Sequence, residues 1–294
     1  MRALVFGAGG QDGHYLCELL QTEGVETVGV SRTGAWKRGD VSRLADVEDA
    51  VRSVRPDYLF HLAANSTTRH EAGFENHETI STGVLNVLES AHRHCPQARV
   101  FVTGSGVQFR DTGEPIDEDT PFAPSSLYAV ARIQSVYAAR YYRSRGLRTY
   151  VGYLFHHESP LRKPGHVSKM VALAAQRIAA GHPEKLSLGD PSVVKEWTFA
   201  GDVARGIVTL LRQDQVWEAV IGSGEGHSIE EWVERCFGLA GLVWRDHVVF
   251  RPGFASEYKR LVSRPSRIRS LGWSPAVSFD ALAEMMMLPP GPTG

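Results

Sequence analysis

Apolar residues along this 294-residue chain follow two periods. Short continuous runs at 3–6, 27–30, 58–62, 100–103 and 149–155 predict buried strands. Between them apolar positions recur every three or four residues, which predicts helices. One carries Leu16, Leu19 and Leu20 on a single face; others cover 44–54, 78–94 (Ile80, Val84, Val87, Leu88 and Ala91 inward) and 128–145. Alternating strand and helix predict an α/β fold, a doubly wound parallel Rossmann sheet with right-handed crossovers. Beyond Phe155 the alternation loosens. Helices are expected at 167–180, 202–211 and 229–239, and short strands at 185–189, 219–221 and 247–250. This predicts a smaller interleaved C-terminal α/β substrate lobe. Residues 1–155 then form the nucleotide-binding domain, completed by part of the later chain, and 156–287 mainly the lobe. The tail 288–294, LPPGPTG, is expected to be disordered.

The turn after the first strand carries candidate chemistry. Gly7, Gly10 and Gly13 have GxxGxxG spacing between strand and helix. Missing side chains there permit a tight turn, close approach of backbone to a pyrophosphate, and close helix–strand packing. An ordinary glycine turn after a buried strand is the plainer reading; the N-terminal placement and the pattern that follows favour a dinucleotide site. The second strand runs into Ser31-Arg32-Thr33, where an NAD site usually carries an acidic residue. A hydroxyl and a guanidinium suit a 2′-phosphate, which points to NADP, with NAD possible; a solvated loop arginine is the alternative. Asp40 stands where it can meet the adenine edge, with Val41 beside it. Leu62, Ala63, Ala64 and Ser66 follow the 58–62 strand, where small residues let a flat cofactor lie against the backbone.

Composition narrows the classes. A net charge of −1 gives no sign of a nucleic-acid partner, and no apolar run reaches membrane-spanning length. Three widely separated cysteines read as reduced thiols of a cytoplasmic protein, and no cysteine or carboxylate cluster accompanies the histidines to suggest a metal site.

Taken together, several strings resemble the extended short-chain dehydrogenases/reductases that modify nucleotide-linked sugars, and within them the GDP-mannose 4,6-dehydratases. The strings are GAGGQDGHYL (7–16), HLAANS (61–66), FHHESP (155–160), LGDPSVVKEWTFAGD (188–202), VIGSGEGHSIEEW (220–232), FRP (250–252) and LGW (271–273). The resemblance implies hydride transfer between the sugar's C4 and bound NADP. It places Gln11 and Asp12 with the cofactor loop, and a catalytic tyrosine at Tyr128. The family's lysine, which holds the nicotinamide ribose and favours the ionised tyrosine, falls at Arg132, four residues on and on the same helix face. Arginine still stabilises a phenolate but cannot give up a proton. His157 and Arg162 match cofactor-contacting positions. His156, Val167, Lys169, Leu188, Gly189, Lys195 and Arg251 match substrate-binding ones, with Lys195 replacing an arginine of the diphosphate clamp and His156 an asparagine beside the sugar.

The catalytic loop departs from the family. Its Thr-Ser-Glu aligns with Gly104, Ser105 and Gly106, so the carboxylate that removes the C5 proton is absent. Ser105, or Thr103 one step earlier, offers the hydroxyl near C4. His70, Glu71 and Glu158 are the candidates to replace the carboxylate. Glu257 is a candidate for the nucleotide ribose, and Lys259, Arg260, Arg264, Arg267 and Arg269 could face the diphosphate or lie on a solvated surface. The resemblance implies a nucleotide-sugar dehydratase acting on a GDP-linked substrate. The altered loop keeps open a C4 epimerase or 4-ketoreductase, and a non-catalytic dinucleotide sensor is the rival from another class. A homodimer through the 78–94 and 128–145 helices is also implied; the short 31–39 loop does not favour a tetramer.

Overall fold

The computed structural model describes residues 1–251, 253–254 and 256–288. The expected tail and Pro252 of the FRP string lie outside them, Leu288 excepted. The first half comprises β1 (Arg2–Phe6), α1 (Gln11–Thr22), β2 (Glu26–Ser31), β3 (Lys37–Arg38), α2 (Leu44–Val54), β4 (Tyr58–His61), α3 (Gly73–Asn76), α4 (Gly83–His94), β5 (Arg99–Ser105), α5 (Leu127–Ser144) and β6 (Arg148–Leu154). The second half adds β7 (His157–Glu158), α6 (Val167–Ala179), β8 (Leu186–Leu188), β9 (Val194–Glu196), β10 (Thr198–Phe199), α7 (Ala200–Leu211) and β11 (Glu218–Ile221). It continues with β12 (Gly226–Ser228), α8 (Ile229–Leu239), β13 (Val248–Phe250), β14 (Arg260–Leu261), α9 (Ser266–Ser270) and α10 (Phe279–Met287).

Seven strands pair in the order β11-β6-β5-β4-β1-β2-β3, all parallel. Helices cover both faces, so central strands are apolar on both sides: Ala3, Leu4 and Val5 are all fully buried. The strand order reverses about β1, and a crevice opens beyond the carboxyl ends of β1 and β4. The chain returns late to this layer: α7 packs with α1, and β11 completes the edge beside β6. The lobe has its own core, where Trp197 and Trp232 stack with ring centroids 4.4 Å apart beside Phe237, Leu282 and Met286.

The expected 78–94 helix is wound in two registers. Residues His77–Thr82 form a π-helical turn that runs into α4. The buried His61 ring reaches the Thr79 carbonyl through Nε2 at 3.0 Å, and a Cβ on Gly83 would lie 2.9 Å from the same nitrogen. The Thr79 carbonyl is thus met by a side chain within the π-turn.

Candidate active site

Two adjoining cavities occupy the crevice. The first, about 460 Å³, runs along the glycine turn and is lined by Gly7, Gly9, Gly10, Ser31, Arg32, Asp40, Val41, Leu62, Ala63, Ala64 and Lys163, among others. Gly7 has φ +94°, and a Cβ there would sit 2.6 Å from the Ala63 nitrogen. A Cβ on Gly13 would lie 2.3 Å from the Gly7 carbonyl oxygen, so the α1 N-terminus packs directly on the turn. The cradle therefore fits a pyrophosphate at the first free amides of α1. Asp40 accepts from the Ser42 amide at 3.0 Å and hydroxyl at 2.8 Å; partial burial opposes its ionisation, but these bonds hold its carboxyl below the usual range. Arg32 pairs with Glu75.

The second cavity, about 590 Å³, lies where β4, β5 and β6 meet the lobe. It is lined by Ser66, Thr103, Ser105, Tyr128, Arg132, His156, His157, Glu158 and Arg162, with Asp12, Glu257 and Tyr258 on its rim and far wall. Ser126 caps α5, its hydroxyl accepting from the Ala129 amide at 3.2 Å, and so fixes the turn that carries Tyr128. Arg132, almost wholly buried, donates from Nε to the Tyr128 hydroxyl oxygen at 3.1 Å and from Nη1 to the Thr103 carbonyl at 2.7 Å. A fixed cation thus donates a hydrogen bond to the phenol oxygen on the cavity wall. The Thr103 hydroxyl proton is spent on the His61 carbonyl at 2.7 Å, leaving Ser105 as the better placed hydroxyl.

The two glycines flanking Ser105 are crowded, Gly104 more tightly than Gly106. In the β5–β6 register Gly104 faces Tyr153, and a Cβ on Gly104 would lie 2.5 Å from that ring. Tyr153 cannot swing aside freely: its hydroxyl donates to Glu218 at 2.7 Å, and Glu218 is clamped by Arg140 and Arg143. A Cβ on Gly106 would meet three Phe155 ring atoms at 3.1–3.2 Å.

The paired histidines form matching arrangements. His157 donates from Nδ1 to the Phe155 carbonyl at 2.6 Å and faces Asp12 through Nε2 at 2.9 Å. Burial opposes its charge, but Asp12 raises its pKa above the ordinary value and is itself lowered in return. His156 bonds the Glu196 carbonyl through Nδ1 at 2.6 Å and faces Glu158 Oε1 through Nε2 at 2.8 Å. Burial and Lys195 push His156 down, to about 4. Glu158, fully buried, is held well below the carboxylate range despite burial by His156 and by Arg162, whose Nε donates at 2.7 Å.

Several expectations change. His70 and Glu71 sit on an exposed turn and line neither cavity, and Glu158 is spent on His156 and Arg162; none stands free as the missing base. Glu257 lines the substrate-side cavity and accepts from Thr68. Val167, Lys169, Leu188, Gly189, Lys195 and Arg251 lie outside both cavity walls. Lys169 donates to the Pro160 carbonyl at 3.0 Å, Arg251 stacks on Phe254 at 5.2 Å, and Lys195 lies 5.0 Å over Trp197, its pKa lowered by burial to about 8. The basic cluster is largely committed within the chain: Lys259 to Asp190, Arg264 to Asp117, Arg267 to Glu118 and Asp119, Arg269 to the Ser223 carbonyl. Lys163, Thr67, Thr68, Arg69 and His166 line the cavities without having been singled out; loop residues brought together by tertiary folding leave no periodic signal.

A family model described as GDP-mannose 4,6 dehydratase matches residues 4–286. The chain belongs to the GDP-mannose 4,6 dehydratase family. A relative, GDP-mannose 4,6 dehydratase 2 of Arabidopsis thaliana, is 31% identical over 97% of this chain and 85% of its own length. Among solved structures, the Thermus thermophilus UDP-glucose 4-epimerase in complex with NAD superposes with TM-score 0.84 at 26% identity, covering 98% of each chain. RMD from Pseudomonas aeruginosa, complexed with NADPH, gives TM-score 0.87 at 21% identity over 97% of each chain and shares the fold. The family fold accounts for the parallel sheet and the crevice. Gly104, Gly106 and Arg132 all lie on elements of this fold, β5, the turn after it, and α5. No described helix is long and apolar enough to cross a membrane.

Proposed function

We propose that the chain is an NADP-dependent enzyme, with NAD possible, that modifies a GDP-linked sugar by chemistry at C4, in the cytoplasm. The observation that carries this is the Tyr128–Arg132–Thr103 arrangement on the cavity wall beside the dinucleotide cradle. The dinucleotide, when bound, accepts or returns the C4 hydride. Tyr128 takes and returns the proton of the C4 hydroxyl, Arg132 stabilises the charge that develops on its oxygen, and Ser105 orients the sugar oxygen. A sensor without chemistry would not need a buried guanidinium aimed at a cavity-facing phenol.

Membership in the family favours 4,6-dehydration. A second reading, C4 epimerisation or 4-keto reduction, is favoured by the absence of a carboxylate from the 103–107 loop and by the crowding of Gly104, since those reactions need no carboxylate at C5. Mass analysis together with chromatography of the sugar after incubation with NADP and GDP-mannose separates them: dehydration removes one water, whereas epimerisation changes no mass but yields a sugar with a different retention time. Absence of any converted sugar, with GDP-mannose bound, contradicts the proposal. Exposed Leu85, Tyr137 and Tyr141 on α4 and α5 support a homodimer through those helices.

A further inference from the structure

Arg32 lines the dinucleotide cleft, but its guanidinium is already engaged. Nη2 donates to Glu75 Oε1 at 2.9 Å, and the other carboxylate oxygen accepts from Asn65 Nδ2 at 2.9 Å. Glu75 sits on α3, just past the small-residue segment that floors the cleft after β4. Lys163 lines the same cleft from the lobe side, and its charge also falls on Glu75. A carboxylate just behind the lining of this cleft thus holds Arg32, is itself held by Asn65, and feels the charge of Lys163.

We infer that Glu75 is a positioning residue that sets how strongly the chain prefers a dinucleotide bearing a 2′-phosphate over one bearing a 2′-hydroxyl. The inference rests on the reading of this cleft as an NAD(P) site. A 2′-phosphate that recruits Arg32 must break the Arg32–Glu75 pair or place its own charge beside a carboxylate. A 2′-hydroxyl requires neither, so NAD leaves the pair intact. The pair is about half exposed on both sides (57% and 43%), which makes it weaker than a charge-assisted fork between guanidinium and phosphate. The phosphate therefore still wins Arg32, at a discount that Glu75 imposes. Lys163 acts in the other direction, as a second cation available to a phosphate once Glu75 no longer holds the local charge.

Titrating the protein with NADPH and with NADH, following nicotinamide fluorescence, tests this without any need for turnover. Removing an exposed partner charge predicts that Glu75→Gln tightens NADPH by roughly two- to fivefold and leaves NADH unchanged. Glu75→Asp, which keeps the charge but withdraws it by one methylene, should fall between. In an Arg32→Ala background the Glu75→Gln gain should shrink to the smaller part that Lys163 supplies, a coupling that a merely structural role for α3 would not produce. An unchanged NADPH:NADH ratio in Glu75→Gln, or the same gain without Arg32, overturns the inference while leaving the cleft assignment standing. Failure of wild-type protein to bind either dinucleotide removes the cleft assignment and the inference with it.

Discussion

Replacing Arg132 tests the electrostatic part of the proposed chemistry. In Arg132→Ala the Tyr128 oxygen loses its donor at 3.1 Å, and the Thr103 carbonyl loses its partner at 2.7 Å. A hydrogen bond to a charged group contributes about 1.5–3 kcal/mol, so if the guanidinium acts on the developing phenolate, turnover should fall by roughly 10- to 150-fold. The orphaned Thr103 carbonyl sits in the core and costs about 1–3 kcal/mol of stability. That should lower the melting temperature by roughly 2–4 °C per kcal/mol, the response of somewhat smaller domains. Arg132→Lys keeps the charge but cannot serve both acceptors with a planar fork, so its turnover should lie between the two. Steady-state kinetics with GDP-mannose and NADP, beside thermal melts and dinucleotide titrations, separates the chemical loss from the structural one. The decisive comparison is a cycle with Tyr128→Phe: once the phenol oxygen is gone, Arg132→Ala should cost almost nothing further in turnover. Turnover within about threefold of wild type in Arg132→Ala, or full additivity with Tyr128→Phe, would refute the assignment.

Two further outcomes follow from the same geometry. Gly104→Thr should destabilise the chain by about 1–3 kcal/mol, because its Cβ must displace a ring pinned by Glu218; urea unfolding measures this, and an unchanged midpoint would contradict it. The His157–Asp12 pair makes stability pH-dependent. His157 has a raised pKa, so its contribution is complete below its unfolded value of 6.5 and is lost as pH climbs through the folded one; Asp12, lowered, contributes above 3.8 and fails only as pH falls through its folded value. Asp12→Asn should therefore cost about 1–3 kcal/mol near pH 6, with a gap that narrows toward pH 9. A gap that stays flat between about pH 5 and about pH 9 would show that the pair is not charged as described.

Legibility in the sequence followed the range of the interactions. The strands and helices of the main sheet carry their own periodicity, and Tyr128 with Arg132 is visible as one turn of an amphipathic helix. Strands of two or three residues, such as β7, β10 and β14, are too short to show a period and exist because the lobe packs them. The absence of a carboxylate from residues 103–107 could be read directly. The crowding of Gly104 by Tyr153 and of Gly106 by Phe155 could not, because that depends on the β5–β6 register. Glu158 looked like a free carboxylate until folding set His156 and Arg162 against it. The Arg32–Glu75 pair joins residues 43 positions apart on separate elements, beyond the reach of any local pattern.

The central claim is that Tyr128 moves the proton that accompanies hydride transfer at the sugar's C4. Mixing NADP-loaded protein with GDP-mannose deuterated at C4, quenching within a single turnover, and weighing the recovered dinucleotide tests it most directly. The account predicts deuterium in the nicotinamide of the wild-type protein and none with Tyr128→Phe, although that variant still binds NADPH. Equal transfer in the two proteins, or none in the wild type with both ligands bound, would contradict it.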